Sequence, residues 1–157
     1  MAKKKIGILG GTFNPIHNGH LMLAKEAYEQ HNLDKVWIMV SPNPPHKAGT
    51  TIVDVTHRNN MVKVAIEPYG FMELSTYEQR REGYIYTAET LTLLKKDYPE
   101  NEYYFIIGGD SLENIEKWYH PEIVLANCIL LAAGRDDLFN EALISRINEL
   151  NEKYNAD

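Results

Sequence analysis

Apolar and polar positions alternate in blocks along the whole chain. The run "KIGIL" (5–9) is short, apolar and closed by glycine, which predicts a buried strand. In "GHLMLAKEAYEQ" (19–30), Leu21, Ala24, Ala27 and Tyr28 fall at helical spacing. A second strand, "KVWIMV" (35–40), ends at the proline cluster "SPNPPHK". "DVTHRNNMVKVAIEP" (54–68) predicts a helix with Asp54 or Thr56 as its cap. "FMELS" (71–75) is a weaker strand, and "TAETLTLLKKDYP" (87–99) a helix opening on a capping-box-like Thr87-x-x-Thr90 and ending before Pro99. "EYYFIIGG" (102–109) is a strong strand, "PEIVLAN" (121–127) a short helix and "CILLAAG" (128–134) a fifth strand. From Asp136 to about Lys153, Leu138, Leu143, Ile147 and Leu150 mark one side of a last helix.

Strands that alternate with helices predict βαβ units and a parallel sheet covered on both faces. The expected fold is α/β: a doubly wound, Rossmann-like parallel sheet of about five strands in a single domain spanning 1–157. Ligands of such sheets bind beyond the carboxyl ends of the strands. Every unusual polar cluster falls at one of those ends. Strand one runs into Gly10-Gly11-Thr12 and His17/His20, and strand two into Pro44-Pro45-His46-Lys47. Strand three runs into "STYEQRREGYIYT", strand four into Gly108-Gly109-Asp110-Ser111, and strand five into Gly134-Arg135. One rim is therefore expected to carry them all.

Composition narrows the classes. A chain of 157 residues can bury a core without metals or disulfides, and 44% apolar with 24% charged residues is an ordinary globular balance. The net charge of −6 argues against holding a nucleic acid through its phosphate backbone, though not against binding one nucleotide. A lone cysteine, Cys128, excludes a disulfide framework and reads as a buried strand thiol of a reducing compartment. The apolar start is too short for a signal peptide and no stretch approaches a membrane span, so a cytoplasmic protein is expected. The sequence leaves homo-oligomer formation open.

The stretch "KKIGILGGTFNPIHNGHLMLAKEA" concentrates the chemistry. Gly10 and Gly11 are expected to turn the chain sharply and to let backbone N–H groups approach a ligand. The helix beginning near Gly19 offers unpaired N–H groups to an anion. Neither a Walker A loop nor Gly-x-Gly-x-x-Gly is spelled, and a plain strand-to-helix turn is the bland alternative. His17 and His20 could ligate zinc, but no third ligand lies nearby in sequence. As imidazole donors they suit phosphate oxygens, with bonds that strengthen as negative charge builds.

"GGTFNPIHNGHL" resembles the signature of the HxGH nucleotidyltransferase superfamily, His17-Asn18-Gly19-His20 being the motif itself. "PNPPHK", "REGYIYTAETL" (81–91), "FIIGGDSLENIEKWY" (105–119) and Arg135 make the chain similar to the bacterial nicotinate-nucleotide adenylyltransferase family over nearly its whole length. The resemblance implies transfer of the adenylyl group of ATP, with Mg²⁺, to nicotinate mononucleotide in NAD biosynthesis. It implies catalytic roles for His17, His20 and Lys47, and an ATP site of Gly10, Gly11, Thr12, Phe13, Gly108, Asp110 and Arg135 beside the two histidines. Asn14, His46, Lys47, Thr87, Trp118 and Tyr119 would hold the mononucleotide: Trp118 stacks on the ring, and Thr87 with backbone N–H groups near Tyr119 meets its carboxylate. Asp110 would take the ATP ribose, and no protein ligand to metal is expected. Each residue also has a plainer reading: a solvated Lys47 beside His46, an ordinary core Trp118, and an exposed ion pair at Arg81 and Glu82.

No residue is an obvious nucleophile, since Ser111 lacks a base and Cys128 reads as buried, so direct in-line displacement is expected. Two departures from the family stand out. Asn14 occupies a place where aspartate is frequent. The family's Ile-Ser-Ser-Thr-x-x-Arg-like segment, which grips ATP phosphates, does not appear before Asp157, and "NELNEKYNAD" looks like the approach to another strand. The expectation is of a chain shortened at its C-terminus, with the mononucleotide half of the site intact and ATP held weakly. Rival readings are a relative taking nicotinamide mononucleotide or phosphopantetheine, a nucleotide-binding module without catalysis, and, weakest, a zinc or redox protein.

Overall fold

The computed structural model describes residues 3–42, 53–80, 85–108, 114–133 and 141–154, with side chains of the last stretch described from 146 onward. Five strands form one wholly parallel sheet in the order β3-β2-β1-β4-β5. These are β1 (Lys4–Gly11), β2 (Lys35–Val40), β3 (Met72–Ser75), β4 (Asn101–Gly108) and β5 (Ile129–Ala133). The helices between and after them are α1 (Asn18–Gln30), α2 (Val55–Ile66), α3 (Thr87–Asp97), α4 (Pro121–Asn127) and α5 (Glu141–Tyr154). Two 3₁₀ turns, Tyr77–Arg80 and Ile115–Lys117, complete the described elements. The expected fold class and element order hold.

Strand alternation divides the core into two layers. In β4, Tyr103, Phe105 and Ile107 join Ile6 and Ile8 of β1 beneath Leu91 and Leu94 of α3, Val124 of α4 and Leu150 of α5. Tyr104 and Ile106 face the other way, with Val36 and Ile38 of β2, Ala24 and Ala27 of α1, and Val62 and Ile66 of α2. Burial on both faces is why these strands read as continuous apolar runs. Tyr28 of α1 and Phe71, just before β3, come from successive crossovers and stack with ring centroids 3.8 Å apart.

Several local expectations are corrected. Cys128 is not within a strand but caps the end of α4, where its Sγ lies 3.2 Å from the Val124 carbonyl and desolvation pushes the thiol up to about 12. Tyr86, not Thr87, occupies the N-cap of α3; Thr90 turns its hydroxyl to Glu78 Oε2 at 2.7 Å. Asp54 stands at the N-cap of α2 without a side-chain capping bond. The last helix, expected to about Lys153, runs as α5 to Tyr154. That helix is tied to the second 3₁₀ turn through Glu116, which accepts from Arg146 at 2.9 Å, from the Tyr154 hydroxyl at 2.9 Å, and from Lys153.

Candidate active site

Chain direction across the sheet reverses at β1: the connections through α1 and α2 step to β2 and β3, whereas β4 and β5 lie on the other side. Sheets of this kind open a crevice at that point, outside the carboxyl ends of the strands. Here β1, β2 and β4 end around a cavity of about 360 Å³. β1 lines it with Leu9, Gly10 and Gly11, and β4 with the run from Phe105 to Gly108. His20 of α1, Thr87 of α3, Ser41 beyond β2, Glu78 and Trp118 also face it.

The glycines do not turn the chain. Gly10 and Gly11 are the last residues of β1, in register with Met39 and Val40, and the turn follows them at Phe13, whose φ is 50°, and at a cis Asn14–Pro15 peptide. A left-handed phenylalanine costs about 1–2 kcal/mol. Its ring offsets that cost by burial, with 3% of its surface exposed, and by an edge-on contact with His20 at 4.8 Å. The glycines have another use. A Cβ on Gly108 would meet no described atom within 4 Å, and one on Gly10 only ordinary contact with Phe105 at 3.6 Å. Internal packing therefore does not demand glycine there, and bare backbone faces the cavity.

The two histidines close the start of α1 reciprocally. His17 Nδ1 accepts from the Gly19 N–H at 3.1 Å, and the His17 N–H donates to His20 Nδ1 at 3.1 Å. Their rings stack at 3.8 Å. Since each Nδ1 accepts, the ring proton of the neutral form sits on Nε2, leaving two donors available to a ligand. Burial, and secondarily the neighbouring His17, lower the His20 pKa to about 4, so this imidazole is neutral at physiological pH. The spacing of the motif follows from the same geometry. A Cβ on Gly19 would lie 2.9 Å from His17 Cε1, so only glycine lets the ring fold back over the helix end.

Trp118 also lines the cavity and stands edge-on to Phe105 with centroids 6.2 Å apart, so one side chain both packs on the core and faces the opening. The remaining expected residues are placed differently. His17 stacks behind His20, and Thr12, Phe13 and Asn14 form the loop beside the cavity rather than its described lining. Asn14 Oδ1 accepts from the Val53 N–H at 3.1 Å. Tyr119, 49% exposed, stacks on Tyr86 at 4.4 Å. His46, Lys47, Asp110 and Arg135 lie outside the described residues, as do Arg81, Glu82 and Ser111. Among the described residues, no group of three or more His, Cys, Asp or Glu side chains could hold a metal ion. Nor is any described helix long and apolar enough to cross a membrane.

Three residues escaped the sequence reading: Ser41, Glu78 and Arg58. Glu78, nearly buried, takes the Thr90 hydroxyl at the edge of the cavity, and nothing in "TYEQRREG" marks it out from its neighbours. Arg58 did leave a signal. It repeats at helical spacing with Val62 and Ile66, the buried stripe of α2, and a charge on such a stripe needs partners.

Comparison with known proteins agrees with this geometry. Residues 8–153 match the Cytidylyltransferase-like family. A Lachnoclostridium phytofermentans sequence, named "Probable nicotinate-nucleotide adenylyltransferase", is 47% identical over 153 residues, covering 98% of this chain and 76% of that one. The nicotinate-nucleotide adenylyltransferase of Bacillus subtilis is 47% identical over 122 residues, 78% of this chain and 65% of its own. The fold is shared with the Plasmodium falciparum nicotinic acid mononucleotide adenylyltransferase complexed with NaAD, at a TM-score of 0.76 and 21% identity over 91% of this chain and 71% of that one. A five-stranded parallel sheet, a His17-Asn18-Gly19-His20 helix entrance and near-half identity over almost the whole chain together mean that the protein belongs to the nicotinate-nucleotide adenylyltransferase family of nucleotidyltransferases.

Proposed function

We propose that the chain transfers the adenylyl group of ATP to nicotinate mononucleotide, giving nicotinate adenine dinucleotide and pyrophosphate. One observation carries the reading. A single cavity joins His20, on which His17 stacks, and bare glycine backbone with Thr87 and Trp118. Phosphate-holding groups and an aromatic wall in one enclosure suit a reaction between two nucleotides.

The chemistry is a direct in-line displacement. An oxygen of the mononucleotide 5′-phosphate attacks the α-phosphorus of ATP, the bond from that phosphorus to the bridging oxygen breaks, and pyrophosphate leaves with its electron pair. The attacking phosphate is already ionised near neutral pH, so no general base is needed, and catalysis consists of positioning and charge stabilisation. His20 and His17 donate from Nε2 to phosphate oxygens, and Lys47 supplies a mobile positive charge. Gly10, Gly11, Thr12, Phe13 and Gly108 offer backbone to ATP, with Asp110 at its ribose and Arg135 at its phosphates. Trp118 stacks on the pyridine ring, Thr87 and the backbone at Tyr119 meet its carboxylate, and Asn14 and His46 complete the mononucleotide side. Magnesium arrives as part of the substrate, carried on the phosphates of ATP.

Pyrophosphate release from ATP and Mg²⁺, measured with nicotinate mononucleotide, its amide and phosphopantetheine in parallel, tests the proposal. Turnover should be fastest with the nicotinate form. Preference for another acceptor overturns the substrate assignment, and tight mononucleotide binding with no turnover overturns the reaction.

A further inference from the structure

Arg58 is the largest fully buried side chain of the described protein, 1% exposed on the second turn of α2. It has no carboxylate at hydrogen-bond distance among the described residues. Its guanidinium is instead spent on backbone carbonyls. Nε donates to Val53 at 2.6 Å, Nη1 to Thr12 at 2.9 Å and to Ser41 at 2.6 Å, and Nη2 to Pro42 at 2.5 Å.

Those acceptors belong to three separate pieces of chain. Thr12 lies between the end of β1 and the left-handed Phe13, on the loop that leads to His17 and to His20 at the cavity. Ser41 and Pro42 follow β2, and Ser41 itself faces the cavity while its N–H donates to the Gly11 carbonyl at 2.8 Å. Val53 precedes α2, and its N–H reaches back to Asn14 Oδ1 at 3.1 Å. One planar cation therefore joins the loop after β1 to the exit of β2 and the approach to α2. Burying a charge is costly unless its donors are satisfied. A neutral residue would fill the same space at less cost if packing were the sole requirement. The divergent acceptors also exclude lysine as an equivalent, because an ammonium places all three donors on one atom whereas the guanidinium spreads five over a rigid fork.

We propose that Arg58 is a positioning residue of the nucleotidyl-transfer site: it holds the histidine-bearing loop against the end of β2, and so sets where the imidazole pair stands relative to the reacting phosphates. The catalytic part of this inference rests on the function proposed above; the mechanical part does not. A misplacement of about 1 Å at reacting groups costs about 100-fold in rate.

The test compares Arg58→Lys and Arg58→Gly with Val124→Ala, a substitution in the opposite core layer that lowers stability without touching these loops. Arg58→Lys should lose about 100-fold in kcat with little change in KM, whereas Val124→Ala should keep its kcat after comparable destabilisation. Millimolar guanidinium ion should partly restore Arg58→Gly, an effect opposite to that expected if lost stability were the cause. Proton NMR of the histidine rings supplies a readout free of turnover: the His20 titration, at about 4 in the parent protein, should move toward 6.5 in Arg58→Lys. A kcat loss that merely follows stability in all variants overturns the proposal, as do parental kcat in Arg58→Lys or failure of both Arg58 variants to fold. If the parent protein shows no transfer, the functional reading falls, and the His20 titration alone decides the mechanical part: a shift supports it and an unchanged value overturns it.

Discussion

His20 is where burial and electrostatics act on a single residue most plainly. Its pKa falls from 6.5 in the unfolded chain to about 4 in the folded one, chiefly through desolvation and then through His17. Between those values the unfolded chain binds a proton that the folded chain refuses. Folding stability is thus complete above about pH 6.5 and declines as pH drops toward 4. His20→Asn should remove that share of the decline. Urea unfolding at about pH 7 and about pH 5 checks it, since a smaller pH dependence in the variant than in the parent is expected. The types and spacing of His17 and His20 were readable along the chain, because a motif is a local object. The bonds that assign their protons were not, since Nδ1 finds its partner only after the helix end has formed. Arg58 was half visible: its place on the stripe with Val62 and Ile66 was countable, but its acceptors sit as far away as Thr12.

At the scale of elements, α1 depends on one missing methyl group. Gly19→Ala would set a Cβ 2.9 Å from His17 Cε1 and push the ring off the helix end. The lost cap should cost about 1 kcal/mol of stability. On the proposed mechanism activity should suffer more, by about 100-fold in kcat, because the proposed phosphate donor leaves its position. Thermal unfolding and steady-state pyrophosphate release on the same samples separate the two effects. The element boundaries were otherwise legible, since apolar runs and helical stripes register burial directly. Turn chemistry was the weak point. Gly10-Gly11 suggested a bend, yet both stay extended in β1 while Phe13 takes the left-handed conformation. Propensity assigned the turn to glycine, but burial of an aromatic ring against His20 outweighed it. Thr87 and Tyr86 exchanged capping places for a related reason, as Thr90 was drawn to Glu78 across the fold.

The whole molecule is two apolar layers on one parallel sheet, with the cavity at the edge where both meet open backbone. Leu91→Ala, in the centre of the layer under α3, should destabilise the protein by about 2–5 kcal/mol through cavity formation. KM for both nucleotides should hold, because Leu91 is fully buried in the α3 layer and does not face the described cavity. Urea unfolding together with substrate titrations at a temperature where the variant stays folded gives both numbers. Class, strand count and helix faces could be worked out from the chain alone, because hydrophobic period and strand direction are properties of neighbouring residues; of the polar clusters expected on one rim, those at 44–47, 109–111 and 134–135 lie outside the described residues. Which residues of that rim share one cavity was settled by packing: the side chains of His20, Thr87 and Trp118 and the backbone of Gly108 face it, whereas Tyr119 stacks on Tyr86. The same holds for the buried guanidinium of Arg58 and the protonation of His20. Each depends on atoms distant in sequence, and only a folded sheet brings those atoms to bonding distance and strips away the water that would otherwise separate them.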